Sequence, residues 1–229
     1  MVCNEYTVSC YKNQGKERTE CKDVEYTLIT GDRQIYSLAD GITAGKYSAV
    51  GARRVQETLG DFLANVPEDV LLNSEKVKKN GILLLKNALC RLAEEEKTQI
   101  NEFSSTLMML VIQKKTGIVR WIHIGDGMIF KVDQGKPEIV SRPRNGITSR
   151  YTYVTTSMNM ERHFRTGIIE KPKNLGMMTD GAAKLFYKNR EFTEEGKKIL
   201  SQGINHTARI LEKRSEEDDQ SIFWIQYMS

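Results

Sequence analysis

Four aspartates stand where apolar runs stop or start: Asp40 in SLADG, Asp126 in IGDG, Asp180 in MTDG, and Asp218 of the Asp218–Asp219 pair ahead of QSIFWIQYM. A fifth, Asp23, directly precedes the apolar segment VEYTLIT. Carboxylates gathered at one place repel, raise one another's pKa and stay ionised together only around a cation. Oxygen donors without Cys or His companions suit Mg²⁺ or Mn²⁺. Each acid also has a plainer role. Asp126–Gly127 could be a two-residue hairpin turn, and Asp180 could cap the short run GAAKLF. Asp218 and Asp219 could end a solvated charge run, EKRSEEDD, and Asp40 could shape a turn or cap the helix after it. Only a fold that brings these strand ends together makes a site of them.

The elements that would have to do so can be read from hydrophobic period. YTVSCY (6–11), VEYTLIT (24–30) and QIYSLA (34–39) read as strands, the last two joined by a Gly31–Asp32 turn. From Lys46, Tyr47, Val50, Val55, Leu59 and Phe62 recur at helical spacing until Pro67 blocks continuation. A second helix is predicted over 74–98, with Val77, Leu84, Leu85, Ala88, Leu89 and Leu92 as its buried stripe. The period then shortens. SSTLMMLVIQ (104–113), GIVRWIHI (117–124) and GMIFKVD (127–133) are strands separated by Lys-Thr-Gly and Gly-Asp-Gly turns. Residues 141–166 have no sustained period and are rich in Arg, Thr, Ser and Asn, and so read as a long loop of the kind that usually has a function. Its arginines, Arg142, Arg144, Arg150, Arg162 and Arg165, could read a partner's surface or simply solubilise the loop. KNLGMM resumes a strand, 192–214 reads as helix broken at Gly203, and QSIFWIQYM is the last strand. Strands, two helices, strands, a helix and a strand lack the βαβ rhythm of a doubly wound fold, so the prediction is an α+β sandwich. Met108, Met109, Met177, Met178, Trp121 and Trp224 are expected in its sheets. No repeat or linker divides residues 1–229, which read as a single domain.

Composition narrows the function classes. The 229 residues carry 34 basic and 30 acidic side chains, a net charge of +4, with 39% apolar and 28% charged residues. That weak, dispersed basic excess has no aromatic-interleaved stripe for nucleic acid. Cys3, Cys10, Cys21 and Cys90 form no CxxC pair, and with only His123, His163 and His206 they offer no zinc spacing. Free thiols in a reducing cytoplasm are the expectation. The N-terminus lacks signal-peptide character, and no segment approaches the ~20 apolar residues that span a bilayer. A soluble cytoplasmic monomer is therefore expected. His123 reads as a packed strand residue, while His163 and His206 carry no site assignment.

The chain resembles the metal-dependent protein serine/threonine phosphatases of the 2C family, particularly the small bacterial type, from about Arg18 to the final strand. RTECKD is similar to the family's opening segment, with Arg18 five residues before Asp23. LADGITAG resembles the first Asp-Gly motif, which implies that Asp40 bridges two metals and that the Gly41 carbonyl assists one. SSTLMMLVI is similar to the strand that usually starts Gly-Thr-Thr. IHIGDGMIFKV resembles the Gly-Asp-Ser-Arg strand pair and puts Asp126 at the acid for a third metal. MMTDGAAKLF resembles the Ser-Asp-Gly motif and makes Asp180 a ligand. DDQSIFWI is similar to the closing Asp-Asn and strand, with Asp218 as ligand and Asp219 in place of Asn.

The resemblance implies a four-layer α-β-β-α sandwich with the acids at one edge, and 141–166 as a flap. It also implies hydrolysis of phosphoserine and phosphothreonine in proteins, the targets of a cellular Ser/Thr kinase, by a metal-bridging hydroxide without a phosphoenzyme intermediate. Arg18, Asp23 and Asp40 are the implied catalytic residues, with Arg18 clamping phosphate through its planar fork. Two Mn²⁺ or Mg²⁺ ions are implied, with a third, weakly bound one. A catalytically weak regulatory or scaffold protein, or a small phosphate-ester hydrolase, are the alternatives. Four departures bear on them. Lys22 precedes Asp23 where the family often has glutamate, and Ile42 stands where some relatives carry a histidine acid. Gly127–Met128 replaces Ser-Arg, and the flap segment lacks clear likeness to the family's.

Overall fold

Strand β4, Leu107–Gln113, explains the layering. All seven of its side chains are buried. Leu107, Met109 and Val111 pack towards helices, while Met108, Leu110 and Ile112 pack towards a second layer of strands. With a period of two and apolar residues on both faces, such a strand needs a helix layer on one side and a sheet on the other. The computed structural model, which describes residues 5–16, 19–145, 152–214 and 217–228, supplies both.

One sheet holds β2 (Asp23–Ile29), β3 (Arg33–Asp40), β4, β5 (Ile118–Ile124) and β8 (Arg165–Glu170), hydrogen-bonded in that order. The other holds β1 (Glu5–Asn13), β12 (Gln220–Met228), β9 (Asn174–Met178), β6 (Met128–Asp133) and β7 (Lys136–Ser141), also in that order. Every pairing is antiparallel. Tyr36, Leu38, Leu110, Ile129, Met177, Phe223 and Ile225 fill the space between the sheets. Helices α1 (Ser48–Asn65) and α3 (Ser74–Glu95) cover the first sheet through Val55, Leu59, Val77, Leu85 and Leu89. Helices α6 (Glu194–Leu200) and α7 (Ile204–Lys213) cover the second, where Leu200 and Leu211 meet Phe130 and Trp224. The order of layers is α-β-β-α, as the resemblance implied.

Several elements go beyond the sequence reading. A short helix α2 (Glu68–Leu72) follows Pro67, and β7, β8 and a small β10–β11 hairpin (Tyr187–Lys188, Glu191–Phe192) lie where no strand was predicted. The segment 141–166 is not one loop: it contains a bridge between Asn145 and Thr152, the helical turn α4 (Met160–His163) and the start of β8. The most consequential difference is at Gly-Asp-Gly. Strands β5 and β6 do not pair but belong to opposite sheets, so Gly125–Asp126–Gly127 is a crossing between layers and the hairpin-turn reading of Asp126 is removed. Gly125 takes φ +118°, a conformation L side chains rarely adopt.

Two buried arginines close helix ends. Arg33 donates to the Leu63 and Val66 carbonyls at the end of α1, at 2.5 and 2.6 Å. Arg120 donates to the Leu71 carbonyl of α2 and to Ser74 Oγ, both at 2.8 Å. Cationic donors suit the unsatisfied carbonyls at helix C-termini. Cys10, Cys21 and Cys90 are free thiols, and among the described residues no helix is long and apolar enough to cross a membrane.

Leu110 has no exposed surface and sits between the two sheets. Replacing it by Ala should cost about 3 kcal/mol, from lost burial plus the cavity left behind. Urea unfolding should show a lower midpoint at unchanged m. A loss below about 1 kcal/mol would mean that the sheets close onto the gap.

Candidate metal centre

Register brings the acids together. Asp23 opens β2 and Asp40 closes β3, and the two are directly opposite across that antiparallel pair. In the other sheet, Met178 of β9 pairs with both Ile222 of β12 and Met128 of β6. The residues just outside those three positions include Asp180, Asp218 and Asp126. Five acids thus arrive at one edge of the sandwich from both sheets.

Backbone contacts hold that edge closed. The Asp40 amide donates to Thr106 Oγ1 at 2.9 Å, and the Thr106 amide returns a bond to the Asp40 carbonyl at 2.8 Å. Thr179 Oγ1 donates to Asp23 at 3.1 Å and accepts from the Ser221 amide at 3.0 Å, linking the two sheets. Asp219 ties down the N-terminal segment: its two oxygens accept from the Gly15 amide at 2.9 Å and the Lys22 amide at 2.8 Å. A side chain at Gly181 would collide with the Asp219 carbonyl, so the Asp180 turn can approach only with glycine there.

The model of the family described as Protein phosphatase 2C matches residues 14–213. The chain belongs to that family. Its members are protein serine/threonine phosphatases, and the chain is an enzyme of that class. Similar folds include the serine/threonine phosphatase Stp1 from Staphylococcus aureus, at 14% identity and TM-score 0.71, over 100% of this chain and 97% of that one. The catalytic domain of the phosphatase PstP, solved with 2 manganese ions, has 15% identity and TM-score 0.68 over 98% and 99%. RsbX, solved with magnesium, has 12% identity and TM-score 0.64 over the full length of both chains. At such identities these likenesses concern the fold. No curated protein sequence matches the chain.

The acids of this phosphatase are under electrostatic load. Asp23, 1% exposed, has its pKa pushed up to about 7, first by burial and then by Asp219 and Asp180, against the pull of the nearby Ser221 hydroxyl and of the hydrogen bond from Thr179. One of its oxygens, Oδ1, is buried with no hydrogen-bond partner. Burial, followed by Asp23, Asp180, Asp218 and Asp126, raises Asp40 well above the carboxylate range. Asp126 rises to about 6 through burial and Asp180, opposed by a short hydrogen bond from Thr152 Oγ1. That bond brings the segment predicted as a flap to the acid edge.

The donor set, carboxylates and the Gly41 backbone with an orphaned buried oxygen beside them, has the chemistry for hard divalent cations. Among the described residues, however, no three His, Cys, Asp or Glu side chains are drawn in tightly enough to form a ready coordination group. A cation is already present among the acids. Lys184 Nζ lies 3.0 Å from Asp180 and 3.3 Å from Asp218, bridging two of the expected ligands. The sequence reading missed this residue, although its position four after Asp180 on a helical turn is the signal for such a pair. Lys22, by contrast, points away from the acids: its ammonium donates to the Thr43 and Gly45 carbonyls at 3.3 and 3.1 Å. Arg18, the expected phosphate clamp, falls outside the described residues. His123 is fully buried, as expected of a packed strand residue. Its Nδ1 contacts Ser141 and Arg165 at 2.9 and 3.0 Å, and burial and Arg165 hold its pKa well below the usual value.

Asp23, Asp40 and Asp126 have higher pKa values folded than unfolded, so the folded state binds more protons between about pH 4 and 7. Its stability must therefore fall as pH rises through that window. Thermal melts in EDTA should give a higher Tm near pH 5 than near pH 8, and a flat or rising profile would contradict the crowding of these acids.

Proposed function

We propose that this chain is a divalent-metal-dependent phosphatase that removes phosphate from phosphoserine and phosphothreonine in proteins modified by a Ser/Thr kinase. The observation that carries the reading is the convergence of Asp23, Asp40, Asp126, Asp180 and Asp218 at one sandwich edge, where the other four raise the pKa of Asp40. Family membership and the metal-containing relatives PstP and RsbX support it. In this reading residues 1–229 form one catalytic domain with 141–166 as its flap. Asp40, the Gly41 carbonyl, Asp180 and Asp218 hold two Mn²⁺ or Mg²⁺ ions, and Asp126 serves a third. When bound, the ions would supply an activated water and positive charge for the phosphoryl oxygens.

The chain's own residues do the rest. Asp23 sits opposite Asp40 and, through Thr179, fixes the sheet edge that presents Asp180. Arg18 clamps phosphate in the role the family resemblance implies. Lys22, tied to carbonyls 43 and 45, shapes the loop after Asp40 rather than contributing charge. Ile42 cannot donate a proton, so the departing serine or threonine oxygen takes its proton from water. No cysteine or serine nucleophile is called on.

Asp40→Asn should lower kcat on a phosphothreonine peptide by about a hundredfold or more, on the scale of losing one preorganised electrostatic group. It should also abolish the rise in Tm that Mn²⁺ gives the parent. Near-parental turnover with saturating Mn²⁺ would remove Asp40 from the site.

Lys184 competes with any ion for the same oxygens. Because its side chain is 55% exposed, it can swing out at modest cost. Lys184→Gln should therefore tighten Mn²⁺ binding by about twofold to fivefold in calorimetric titration, the equivalent of a surface ion pair. Weaker binding would instead make the ammonium part of the frame that holds Asp180 and Asp218 in place.

A further inference from the structure

At one side of the sandwich the outermost strands of the two sheets, β7 and β8, leave a cleft between them of about 1120 Å³. Arg142, Arg144, Arg162, Arg165 and Arg190 line it. Lys78 adds a further cation and Glu75 is the single carboxylate among the described lining residues. None of the five arginines makes an ion pair among the described residues. Three of them, Arg142, Arg144 and Arg165, are held by neutral acceptors instead. Arg165 donates to the Arg142 carbonyl at 2.7 Å and to the Gly125 carbonyl at 3.4 Å, Arg144 to the Arg162 carbonyl at 3.2 Å, and Arg142 to the Arg190 carbonyl at 3.3 Å. Arg165 also reaches His123 Nδ1, and its own Nε is buried with no partner.

Like charges placed together without counter-ions cost stability, and guanidinium groups anchored to carbonyls cannot scatter to relieve the repulsion. Burial and the neighbouring Arg144 press on Arg165 in that way. Three anchored guanidinium groups, with those of Arg162 and Arg190 beside them and no carboxylate paired to any of the five among the described residues, fit an anionic ligand that supplies several carboxylate or phosphate groups. The walls indicate what carries those groups. The cleft takes in Ile139–Ser141 of β7 and Arg165–Thr166 of β8, edge strands of the two sheets with no further strand paired on their outer side. Sheet edges recognise extended peptide main chain.

Two of the cleft's arginines reach the residue next to one of the acids. Gly125, whose carbonyl accepts from Arg165 and from the Arg144 amide at 3.0 Å, is the residue before Asp126. A chain whose phosphoresidue lies at the acids could run on into the arginines.

We propose that this cleft binds an acidic segment of the phosphoprotein substrate, flanking the residue to be dephosphorylated. The proposal rests on the phosphatase reading for its source of ligand, but the cleft itself can be tested without turnover.

Two measurements decide it. The first is fluorescence anisotropy of a fluorescein-labelled hexaglutamate peptide in EDTA at fixed ionic strength, using the parent, the charge reversal Arg162→Glu/Arg190→Glu, and Arg209→Glu on the exposed surface of α7. Binding is expected for the parent and Arg209→Glu, weakened at least about fivefold by the double reversal and weakened by added salt. The second is the ratio of kcat/KM for two phosphothreonine peptides, one with glutamates and one with glycines and serines around the phosphoresidue. A preference for the acidic peptide that falls about fivefold or more in the double variant, with Arg209→Glu unchanged, supports the proposal. Use of the ratio cancels any general loss of activity. Equal parental rates on both peptides, or equal effects of the distant reversal, would overturn it. Peptide binding in EDTA by a chain that hydrolyses neither peptide with Mn²⁺ would instead overturn the phosphatase reading and leave the cleft as an acidic-peptide site.

Discussion

Mutual repulsion among carboxylates is the constraint that the rest of this structure answers to. Asp23 and Asp40 face each other across one strand pair, while Asp126, Asp180 and Asp218 approach from the other sheet. In water such groups would separate, and at a partly buried edge they can stay only if the backbone beneath them is rigid. The hydrogen bonds around Thr106, Thr179 and Asp219 provide that rigidity from within each sheet and between the two. The residual strain is expressed as raised pKa values and as recruitment of Lys184 between Asp180 and Asp218. A divalent cation relieves the same strain more completely than one ammonium, because it brings twice the charge to the same oxygens. The acid edge is therefore poised for an ion by the same forces that make it unfavourable without one.

The sandwich is what allows the crowding. Each sheet is buried on both faces, so its strands cannot slide without moving an apolar residue to the wrong layer. Met108 and Met109 show this directly: adjacent in sequence, they enter different cores. Register is thus fixed by hydrophobic alternation over the length of β3, β4, β9 and β12, and the strand ends carry that precision to the acids. Gly125 and Gly181 do the remaining work, one letting the chain cross between sheets and the other letting the Asp180 turn lie against Asp219.

Much of this was legible in the sequence because period and position carried it. The long helices, the central strands, the break at Gly203 and the Asp-Gly ends of β3 and β9 follow from alternation, helical stripes and turn residues. The edge strands β7 and β8 were missed for a physical reason. Their side chains are largely half-exposed, so KPEIVS and RTGIIE lack the apolar alternation of a core strand. Asp126 was ambiguous because Gly-Asp-Gly between two apolar strands has the composition of a hairpin, and only pairing partners reveal a crossing. Lys184 and the buried Arg33 and Arg120 belong to a third class. Arg33 and Arg120 have partners 30 or more residues away, at Leu63 and Leu71, and no local pattern announces them, while the i,i+4 spacing of Lys184 announces Asp180 but not the bridge to Asp218.

The same crossing organises charge on a larger scale. Asp126 belongs to the acid edge, whereas the carbonyl of Gly125 just before it is held by Arg144 and Arg165 at the end of the arginine cleft. Opposite fields therefore meet across a single peptide unit whose glycine takes positive φ. Neither cluster neutralises the other, because the arginines bond to carbonyls, and the Asp126 carboxylate accepts from Thr152. A net charge of only +4 conceals this separation, since the two signs are sorted in space and not along the chain. An extended ligand with one strongly anionic group for cations at the acid edge and further anionic groups for the arginines would satisfy both ends at once.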